Sequence, residues 1–407
     1  MKIAYISADF GIPILGNKGG SVHIRETVSA FTRLGHEVTI FSPDTNNDVE
    51  QKTDLKIVTI GKFNDFESIL RKIRSAEKQI SLRTNASNDM RKYFYNLTLF
   101  DSLLPIFNKE KFDLVYERYS IFSYSGLAIA RRYNLPHFLE VNAPLCEEHE
   151  KMIGFTLKDL AYNLETEVFR KTDKIIVVSE YLKSFAERLG VPGEKIIVLP
   201  NAVNIKDFEI DANSRDEIRS RLNLYNKTVI GFVGNVRPWH SIGKLIKSFD
   251  RAREQSESLH LLIVGESYKA SEIHNLISKS KYSESITCTG FISHQEIPSY
   301  INAMDITVAP YEYTDSFYFS PLKILEYMSC KKPVIAAALG QIKEMIEDGK
   351  NGMLYKAGDV ESLSKAISFL VTHDNIRYEL GNSGFKWVKK NRSLDYQAGQ
   401  VINLIKK

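Results

Sequence analysis

Short β-rich runs alternate along the chain with longer segments that have a helical pattern. Runs such as those at 175–178 and 261–264 are apolar at successive positions, which is typical of strands buried on both faces. The runs predict strands at residues 2–7, 37–41, 56–60, 113–117, 137–141, 174–178, 195–199, 229–233, 261–264, 286–289, 306–309 and 334–336. The segments between them predict helices near residues 21–34, 66–80, 120–133, 153–171, 180–189, 241–255, 269–280, 294–302, 321–329, 359–371 and 374–390.

This alternation of strands and helices predicts parallel β-sheets covered by helices on both faces. Because more than ten strands exceed a comfortable single sheet, two doubly wound α/β domains facing each other across a central cleft are favoured over one domain. A closed eight-fold barrel is the alternative, but the strands are too many and too irregularly spaced for it. The break between the domains is expected at residues 200–204, and ligand sites are expected at the carboxyl ends of the strands.

The composition is that of a globular protein, with 43% hydrophobic and 26% charged residues among 407. These proportions exclude disordered, collagen-like and disulfide-scaffold proteins. The longest strictly apolar run, at 334–339, is far shorter than the ~20 residues that a transmembrane helix needs. Residues 1–10 carry one basic residue and are interrupted by Asp9, so no signal peptide is predicted and a cytoplasmic location is expected.

The distribution of charge is more informative than its total. A net charge of +4 is too small to indicate nucleic-acid binding. Residues 62–92 hold eight Lys or Arg against four Asp or Glu, an excess of four that equals the charge of the whole chain. This segment has two interpretations. It is either a solvated helix face or a patch that contacts an acidic acceptor or the anionic inner face of a membrane, to which the protein would bind peripherally.

Two glycine-containing segments follow predicted strands. The first runs from Asp9 through Gly19 and Gly20 to His23, and its glycines would let backbone N–H groups approach an anion. The second, at 231–243, carries Arg237 and His240, which could contact a phosphate. Ordinary turn glycines and a surface arginine are the alternatives, so neither segment is decisive alone.

The strongest candidate is the segment around residues 320–336. Ser320 is a suitable N-cap and Pro321 a suitable first helical residue, which leaves the N–H groups of Leu322 and Lys323 as an anion site at a helix N-terminus. Glu326 lies one turn further on the same helix face, and its side chain leans toward that end. It could reach the ribose hydroxyls of a nucleoside diphosphate bound there. The alternative is an exposed helix glutamate without a ligand.

Taken together, these segments resemble a family 4 retaining glycosyltransferase of the GT-B fold over nearly the whole chain. The resemblance is carried by Lys18-Gly-Gly-Ser-Val-His23, Gly35-His-Glu-Val38, Val178-Ser179, Leu199-Pro-Asn-Ala-Val203, Gly231-Phe-Val-Gly234, Thr289-Gly-Phe291, Ala303-Met-Asp305 and residues 323–336. It implies two Rossmann-like domains, an acceptor-side domain over 1–200 and a nucleotide-sugar domain over 201–385. It also implies a C-terminal helix within 386–407 that packs back on the first domain.

The resemblance also implies roles for individual residues. Glu326 matches the glutamate that holds the donor ribose, while Leu322 and Lys323 fall where backbone amides meet the diphosphate. Gly19, Gly20 and His23 match the glycine loop that closes on the donor. The remaining residues assigned to the donor site are Asn235, Arg237, His240, Gly265, Phe291, Tyr318, Ser320 and Pro321.

The chain departs from the family pattern at three places. Tyr318 stands where the family has a first glutamate that contacts the donor sugar. Asn235 and His240, with Arg237 between them, stand where it commonly has Arg and Lys for the pyrophosphate. Glu140 and Asn142 lie where a cleft histidine is expected. With His23, these two are the candidate catalytic residues. These departures indicate either a subgroup that binds the donor through other residues or a chain that has lost activity.

The expected function is therefore a retaining, metal-independent glycosyltransferase. It would move a sugar from a nucleotide-sugar donor to a glycan, a lipid-linked or a small-molecule acceptor. No Asp-x-Asp pair suited to Mg²⁺ occurs, Cys146-Glu-Glu-His149 has no second cluster to complete a zinc site, and no cofactor is expected. A catalytically silent sugar-nucleotide or glycan-binding module and a sugar-nucleotide epimerase remain alternatives. The donor base, the donor sugar and the acceptor are left open.

Overall fold

The computed structural model describes residues 1–16, 18–43, 54–61, 64–208, 212–266 and 270–405. It divides into two compact units. The first unit comprises Met1–Pro200 together with the residues from Gln397 onward, and the second comprises Asn201–Tyr396. No helix in the described residues has both the length and the apolar character needed to cross a bilayer.

The first unit is built on a seven-stranded parallel sheet with the order β3-β2-β1-β4-β5-β6-β7. The strands are β1 (Lys2–Ser7), β2 (Glu37–Ser42), β3 (Lys56–Thr59), β4 (Leu114–Arg118), β5 (His137–Val141), β6 (Lys174–Val177) and β7 (Ile196–Val198). The strand order reverses between β1 and β4, so the loops after these two strands diverge and leave a crevice at their carboxyl ends. The Ile175–Val177 part of β6 is buried, as its consecutive apolar residues predict.

The helices of the first unit lie between these strands. They are α1 (Gly19–Arg33), α2 (Asn64–Gln79), α3 (Ala86–Lys109), α4 (Ser125–Arg132), α5 (Leu145–Met152), α6 (Lys158–Lys171) and α7 (Glu180–Arg188). Two of them, α3 and α5, were not predicted, and α6 begins at Lys158 rather than at 153. In sequence, the first half of α3 looks like a polar loop. Its buried polar side chains in fact accept hydrogen bonds from backbone N–H groups of other segments. The buried Asp89 carboxylate accepts N–H groups of Thr156 and Leu157, and Asn96 accepts those of Tyr124 and Ser125.

The second unit has a six-stranded parallel sheet with the order β10-β9-β8-β11-β12-β13. Its strands are β8 (Thr228–Val233), β9 (Leu259–Val264), β10 (Ile286–Cys288), β11 (Ile306–Ala309), β12 (Val334–Ala337) and β13 (Met353–Tyr355). The order reverses between β8 and β11, so the second crevice lies at their carboxyl ends. The sequence did not predict β13, since three residues at a sheet edge are too short for a pattern to stand out.

The remaining helices follow in order along the chain. They are α8 (Ala212–Arg221), α9 (Ile242–Arg253), α10 (Ala270–Ser278), α11 (Ile297–Ala303), α12 (Leu322–Ser329), α13 (Ile342–Met345), α14 (Val360–Thr372), α15 (Asp374–Asn391) and α16 (Leu394–Asn403). Within the predicted C-terminal segment 386–407, α15 continues to Asn391 before α16 begins. The predicted fold class, α/β with two doubly wound Rossmann-like units, is confirmed by the two parallel sheets.

Candidate active site

In the first unit, the predicted residues His23, Glu140 and Asn142 form one hydrogen-bonded group. The Glu140 carboxylate, at the carboxyl end of β5, is only 3% exposed. Its Oε1 lies 2.9 Å from His23 Nε2 and accepts from Asn142 Nδ2 at 2.5 Å. Two residues that the sequence did not single out complete the group. Arg118 Nη1 donates to Oε1 at 2.7 Å, and the Tyr116 hydroxyl donates to Oε2 at 2.9 Å.

Three of these four neighbours decide the ionisation of Glu140. Burial by itself would raise the pKa of this carboxyl, but His23, Arg118 and Asn142 together hold the pKa well below its ordinary value. The group is therefore a carboxylate throughout the neutral range, and its lone pairs are occupied. Glu140 is placed to orient His23 and Arg118 rather than to attack or to donate a proton. A direct catalytic role for Glu140, expected from the sequence, is not favoured by these contacts.

The glycine loop lies beside this group. Helix α1 begins at Gly19, and the side chain of its N-cap residue, Lys18, makes no capping hydrogen bond. A Cβ at Gly20 would lie 3.1 Å from the Ile12 side chain and 3.6 Å from Arg118 Nη2, whereas Gly19 borders open space. The first turn of α1 therefore presents backbone donors next to Arg118 and His23, which is an arrangement suited to polar or anionic ligands.

In the second unit, Lys323 is the centre of the predicted donor site. Its Nζ lies 3.0 Å from His240 Nε2 and sits over the Phe232 ring at 4.2 Å and the Tyr311 ring at 5.5 Å from the centroids. His240 Nδ1 lies 2.8 Å from the Asn235 carbonyl oxygen. Among the residues that the structure describes, Lys323 has no carboxylate within ion-pair distance. The ammonium is held by a neutral ring and two aromatic faces.

His240 differs from its predicted role as a positive phosphate ligand. Burial, followed by the charges of Lys323 and Arg237, lowers the pKa of His240 to about 3. The imidazole is thus neutral, with Nδ1–H donating to the Asn235 carbonyl and Nε2 accepting from the Lys323 ammonium. It contributes no positive charge and instead fixes the position of Lys323.

Lys323 and Glu326 lie about one turn apart at the start of α12, and each affects the pKa of the other. Burial lowers the pKa of Lys323 to about 7, and the charge of Glu326 opposes that shift. Burial likewise raises the pKa of Glu326 to about 7, against the charge of Lys323. Within the described chain, no residue donates a hydrogen bond to the Glu326 carboxylate. An anion beside Lys323 and hydroxyl groups beside Glu326 would stabilise both charges.

The start of α12 differs from the prediction that Ser320 caps it. The helix begins at Leu322, and Pro321 occupies the N-cap position. The Ser320 hydroxyl instead accepts the Asn201 N–H at 2.9 Å, and the Ser320 carbonyl accepts from Asn201 Nδ2 at 2.8 Å. Ser320 is wrong as a helix cap because its hydroxyl is engaged by Asn201, which lies 119 residues earlier in the chain. The N–H groups of Leu322 and Lys323 consequently keep no side-chain partner at the cap, so the predicted anion site retains its donors.

Two glycines let the backbone pass close to Lys323. Gly234 and Gly265 follow β8 and β9 with φ of +132° and +139°, values that favour glycine. A Cβ at Gly265 would lie 2.3 Å from the Gly234 carbonyl oxygen, and one at Gly234 would lie 3.3 Å from Lys323 Nζ. Gly265 therefore belongs to the structure of this site. Gly234 was not assigned to the donor site from the sequence; it was noted only as the last residue of the Gly231-Phe-Val-Gly234 motif.

The other predicted donor residues are more peripheral. Asn235 and Arg237 are exposed, and Arg237 acts on the site through its charge on His240. The Tyr318 ring packs on Phe319 with centroids 4.3 Å apart, in the segment that leads into α12. Phe291 is 59% exposed on the loop after β10.

In the described part of the chain, no group of three His, Cys, Asp or Glu side chains could hold a metal ion.

Comparison with known families gives matches in both units. The family described as Glycosyl transferases group 1 matches residues 214–387, and the family described as Glycosyltransferase Family 4 matches residues 17–207. The two matches follow one another along the chain. They cover the glycine loop in the first unit and the Lys323 site in the second.

Individual relatives are distant. The uncharacterized glycosyltransferase MJ1069 of Methanocaldococcus jannaschii is 24% identical over 225 residues, which is 55% of this chain and 56% of that protein. A GDP-mannose-dependent alpha-(1-6)-phosphatidylinositol monomannoside mannosyltransferase of Mycobacterium tuberculosis is 22% identical over 266 residues, 64% of this chain and 69% of the relative. The alignment with the first of these thus spans little more than half of that relative's length.

Among solved structures, Anabaena Alr3699/HepE in complex with UDP and glucose has a TM-score of 0.74 with this chain at 16% sequence identity. The superposition covers 100% of this chain and 99% of that one. At this identity the likeness concerns the fold alone.

Proposed function

This chain belongs to the group 1 glycosyl transferases, and from that premise we propose that it transfers a sugar from a nucleotide-sugar donor to a glycan or lipid-linked acceptor. The transfer retains the anomeric configuration and needs neither a metal ion nor a cofactor. The observation that carries the proposal is the Lys323 ammonium, which is desolvated, lacks an ion-pair partner among the described residues and lies beside uncapped N–H groups at the start of α12.

The donor diphosphate is held by the second unit. Its oxygens accept from Lys323 Nζ and from the N–H groups of Leu322 and Lys323, while the Glu326 carboxylate accepts from the ribose hydroxyls. Relatives whose names include GDP-mannose and a solved complex with UDP support a nucleotide sugar as donor. Charge that develops on the leaving diphosphate is stabilised by these preorganised donors, which is the usual source of a large electrostatic effect in catalysis.

Retention follows from attack on the same face from which the diphosphate departs. The acceptor hydroxyl forms the new bond to the anomeric carbon, the bond to the diphosphate oxygen breaks, and that oxygen takes the hydroxyl proton. No protein nucleophile is required, which agrees with the fully occupied Glu140 carboxylate. Glu140 is a positioning residue that directs His23 and Arg118.

Donor turnover without an acceptor tests the proposal. The full chain is incubated with UDP- and GDP-sugars, and slow release of the nucleoside diphosphate is expected for one of them. Binding without any release, even when mixed glycan acceptors are added, would instead indicate a silent binding module. Conversion of a donor to its epimer without release of the diphosphate would indicate an epimerase.

Activity is expected to persist in excess EDTA. The diphosphate charge is met by an ammonium and backbone N–H groups, so removal of divalent ions should change the turnover rate by less than about twofold. The measurement is diphosphate release with EDTA, and again after Mg²⁺ or Mn²⁺ is restored. Complete loss of turnover that is recovered with either ion contradicts metal independence.

We also propose that the basic segment attaches the protein peripherally to an anionic membrane. Lys62 and the Asp65 side chain lie outside the described residues, Arg91 pairs with Glu67 at 2.6 Å, and Lys92 is half-buried. The exposed cations that remain are Arg71, Lys72, Arg74, Lys78 and Arg83. Exposed apolar side chains accompany them, with Ile69 at 51%, Ile80 at 72% and Leu82 at 51%. Exposed cations beside exposed apolar groups are typical of an interfacial helix.

Reversal of Arg71, Lys72 and Arg74 to Glu should weaken binding to vesicles that contain phosphatidylserine by more than about 100-fold. Each basic residue near such a surface contributes about 1 kcal/mol. Co-sedimentation measures the effect. Reversal of three exposed lysines on α15 (Lys386, Lys389 and Lys390) is the matched control and should leave vesicle binding unchanged. Equal loss in both triple variants, or no binding by the parent, removes the membrane proposal.

A further inference from the structure

Glu312, in the segment that follows β11, is bonded to the loop that carries His240. Its backbone N–H donates to the Trp239 carbonyl oxygen at 3.0 Å. Its carboxylate accepts from the Ser241 hydroxyl at Oε2, over 2.7 Å, and from Lys244 Nζ at Oε1, over 2.5 Å. These bonds join Glu312 to the residues on both sides of His240. Neither the sequence motifs nor the proposed donor chemistry uses Glu312.

Ser241 has a backbone conformation that needs such support. Its φ of +44° and ψ of +35° lie in the left-handed region, which residues other than glycine adopt at a cost in free energy. Ser241 occupies the N-cap position of α9 but makes no capping hydrogen bond, and its hydroxyl donates to Glu312 instead. Ser241 is buried, whereas the Lys244–Glu312 ion pair is 40% and 45% exposed and is weakened by water. The bond between Ser241 and Glu312 is therefore the contact best placed to hold the strained conformation.

The turn that Glu312 holds sets the position of Lys323. His240 Nε2 lies 3.0 Å from Lys323 Nζ, and the backbone at Ser241 fixes the direction of the neighbouring His240. Tyr311, the residue before Glu312, places its ring centroid 5.4 Å from that of His240 and 5.5 Å from Lys323 Nζ. Glu312 is thus the point at which the two segments that hold the ammonium are joined.

We propose that Glu312 is a positioning residue for the transfer reaction, because it holds the turn 239–241 so that His240 keeps the Lys323 ammonium at the donor diphosphate. Glu312 acts through Ser241 and His240, and its carboxylate bonds to Ser241 and Lys244 rather than to Lys323. The inference rests on the proposed function and adds a residue on which the donor site depends. Without this support the turn relaxes, His240 moves away and the ammonium is displaced.

Donor turnover by Glu312→Ala, made in the full chain, tests the proposal. Release of the nucleoside diphosphate should fall about 10- to 100-fold, because a charged group that is misplaced by a small distance loses much of its effect. Glu254→Ala is the matched control. It removes a carboxylate that is 53% exposed and pairs with Lys281 at 3.0 Å, at the other end of α9, and it should turn over like the parent. Thermal unfolding shows whether both variants fold.

Substitutions at Ser241 separate the conformational role from a general loss of structure. Ser241→Ala keeps the strain and removes the bond to Glu312, so turnover should fall as it does in Glu312→Ala. Glycine adopts the left-handed conformation without strain, so Ser241→Gly added to Glu312→Ala should restore turnover to within about threefold of the parent. A double variant no more active than Glu312→Ala overturns the inference. If Glu312→Ala does not fold, Ser241→Ala must be less active than Ser241→Gly, and equal activity of these two overturns the inference.

The protonation of His240 gives a readout that does not depend on turnover. In the parent, burial and the charges of Lys323 and Arg237 lower the pKa of His240 to about 3, so the ring is neutral. Released in Glu312→Ala, the ring should titrate between about pH 5 and 8 in NMR spectra of protein with nitrogen-labelled histidine. His240→Asn identifies its signals among those of the nine histidines. Loss of turnover while His240 stays neutral, or titration of His240 with parent-like turnover, overturns the inference.

The two readouts also separate this inference from the proposed function. A parent chain without donor turnover counts against the proposed function, and the His240 spectra of Glu312→Ala then still decide whether Glu312 positions the ring. A parent that turns over, together with a Glu312→Ala variant that matches it in both readouts, overturns the inference and leaves the proposed function standing.

Discussion

Lys323→Met is expected to lower both nucleoside-diphosphate affinity and the rate of donor turnover, the latter by about 10²–10³-fold. The side chain places an ammonium where the leaving diphosphate gains charge, and its Nζ lies 3.0 Å from a neutral His240 and 4.2 Å from the centre of the Phe232 ring. Without an acidic partner in the described structure, that charge is available to the ligand. Removing it takes away a stabilising interaction that strengthens in the transition state.

The substitution should not act through unfolding. Methionine fits beside aromatic rings, and it replaces an ammonium whose burial is itself unfavourable. The matched control is Lys332→Met. Lys332 is also half-buried, with a pKa lowered to about 8, but its Nζ donates to the Asn302 carbonyl. Calorimetric titration with UDP and GDP and a turnover assay compare the two variants. Equal losses in both, or parent-like turnover in Lys323→Met, would contradict the assigned role.

The same residue predicts a dependence of affinity on pH. Lys323 has a pKa of about 7 in the free protein. We expect a bound diphosphate to raise this pKa, because a nearby anion favours the charged ammonium. The interaction between the protonated Lys323 ammonium and the diphosphate therefore contributes fully to binding below pH 7. This contribution is lost as the pH rises toward the pKa of Lys323 in the complex. Between pH 7.5 and 9, where Glu326 is already ionised, affinity should fall by up to about tenfold per pH unit. This slope should be absent in Lys323→Met.

Glu326→Gln is expected to weaken nucleoside-diphosphate affinity by about 10- to 150-fold. A carboxylate one turn into α12 can accept from both ribose hydroxyls, and hydrogen bonds to a charged group contribute about 1.5–3 kcal/mol. Its pKa, raised to about 7 by burial, indicates a carboxylate that gains from new donors. Glutamine keeps the size of the side chain and loses the charge, so the measured loss reports on the charge.

Tyr318→Phe is the contrasting variant. Tyr318 stands before α12 with its ring on Phe319, at the position where the family's first glutamate is missing. Loss of its hydroxyl should alter turnover or sugar preference while sparing nucleoside-diphosphate affinity. Calorimetric titration of both variants decides. Parent-like affinity in Glu326→Gln together with a loss in Tyr318→Phe would mean that the ribose is placed wrongly.

The sequence was most informative where one chain segment carries both structure and chemistry. Short β-rich runs predicted β5 and β11 with their observed bounds. The helix that begins beside residue 321 predicted that Lys323 and Glu326 share one face. Such inferences succeed because strand burial and helix geometry depend on neighbours in sequence.

The missed features depend on pairing between distant segments. Arg118 reaches Glu140 because β4 and β5 pair in a register that sets these two residues side by side. Nothing local to residues 114–118 indicates that partner. Helix α3 was missed for a related reason, since Asp89 and Asn96 look like loop residues until the backbone N–H groups that they accept are known.

The division of the chain between the two units bears on how the protein folds during synthesis. The second unit is one continuous stretch, Asn201–Tyr396, whereas the first also needs residues from Gln397 onward. In α16, the Gln397 side-chain amide donates to the Pro200 carbonyl, which closes this discontinuous unit. Domains generally fold in the order in which the ribosome makes them. Here the sheet of the first unit leaves the ribosome early, but its closing contact waits until the entire second unit has been translated.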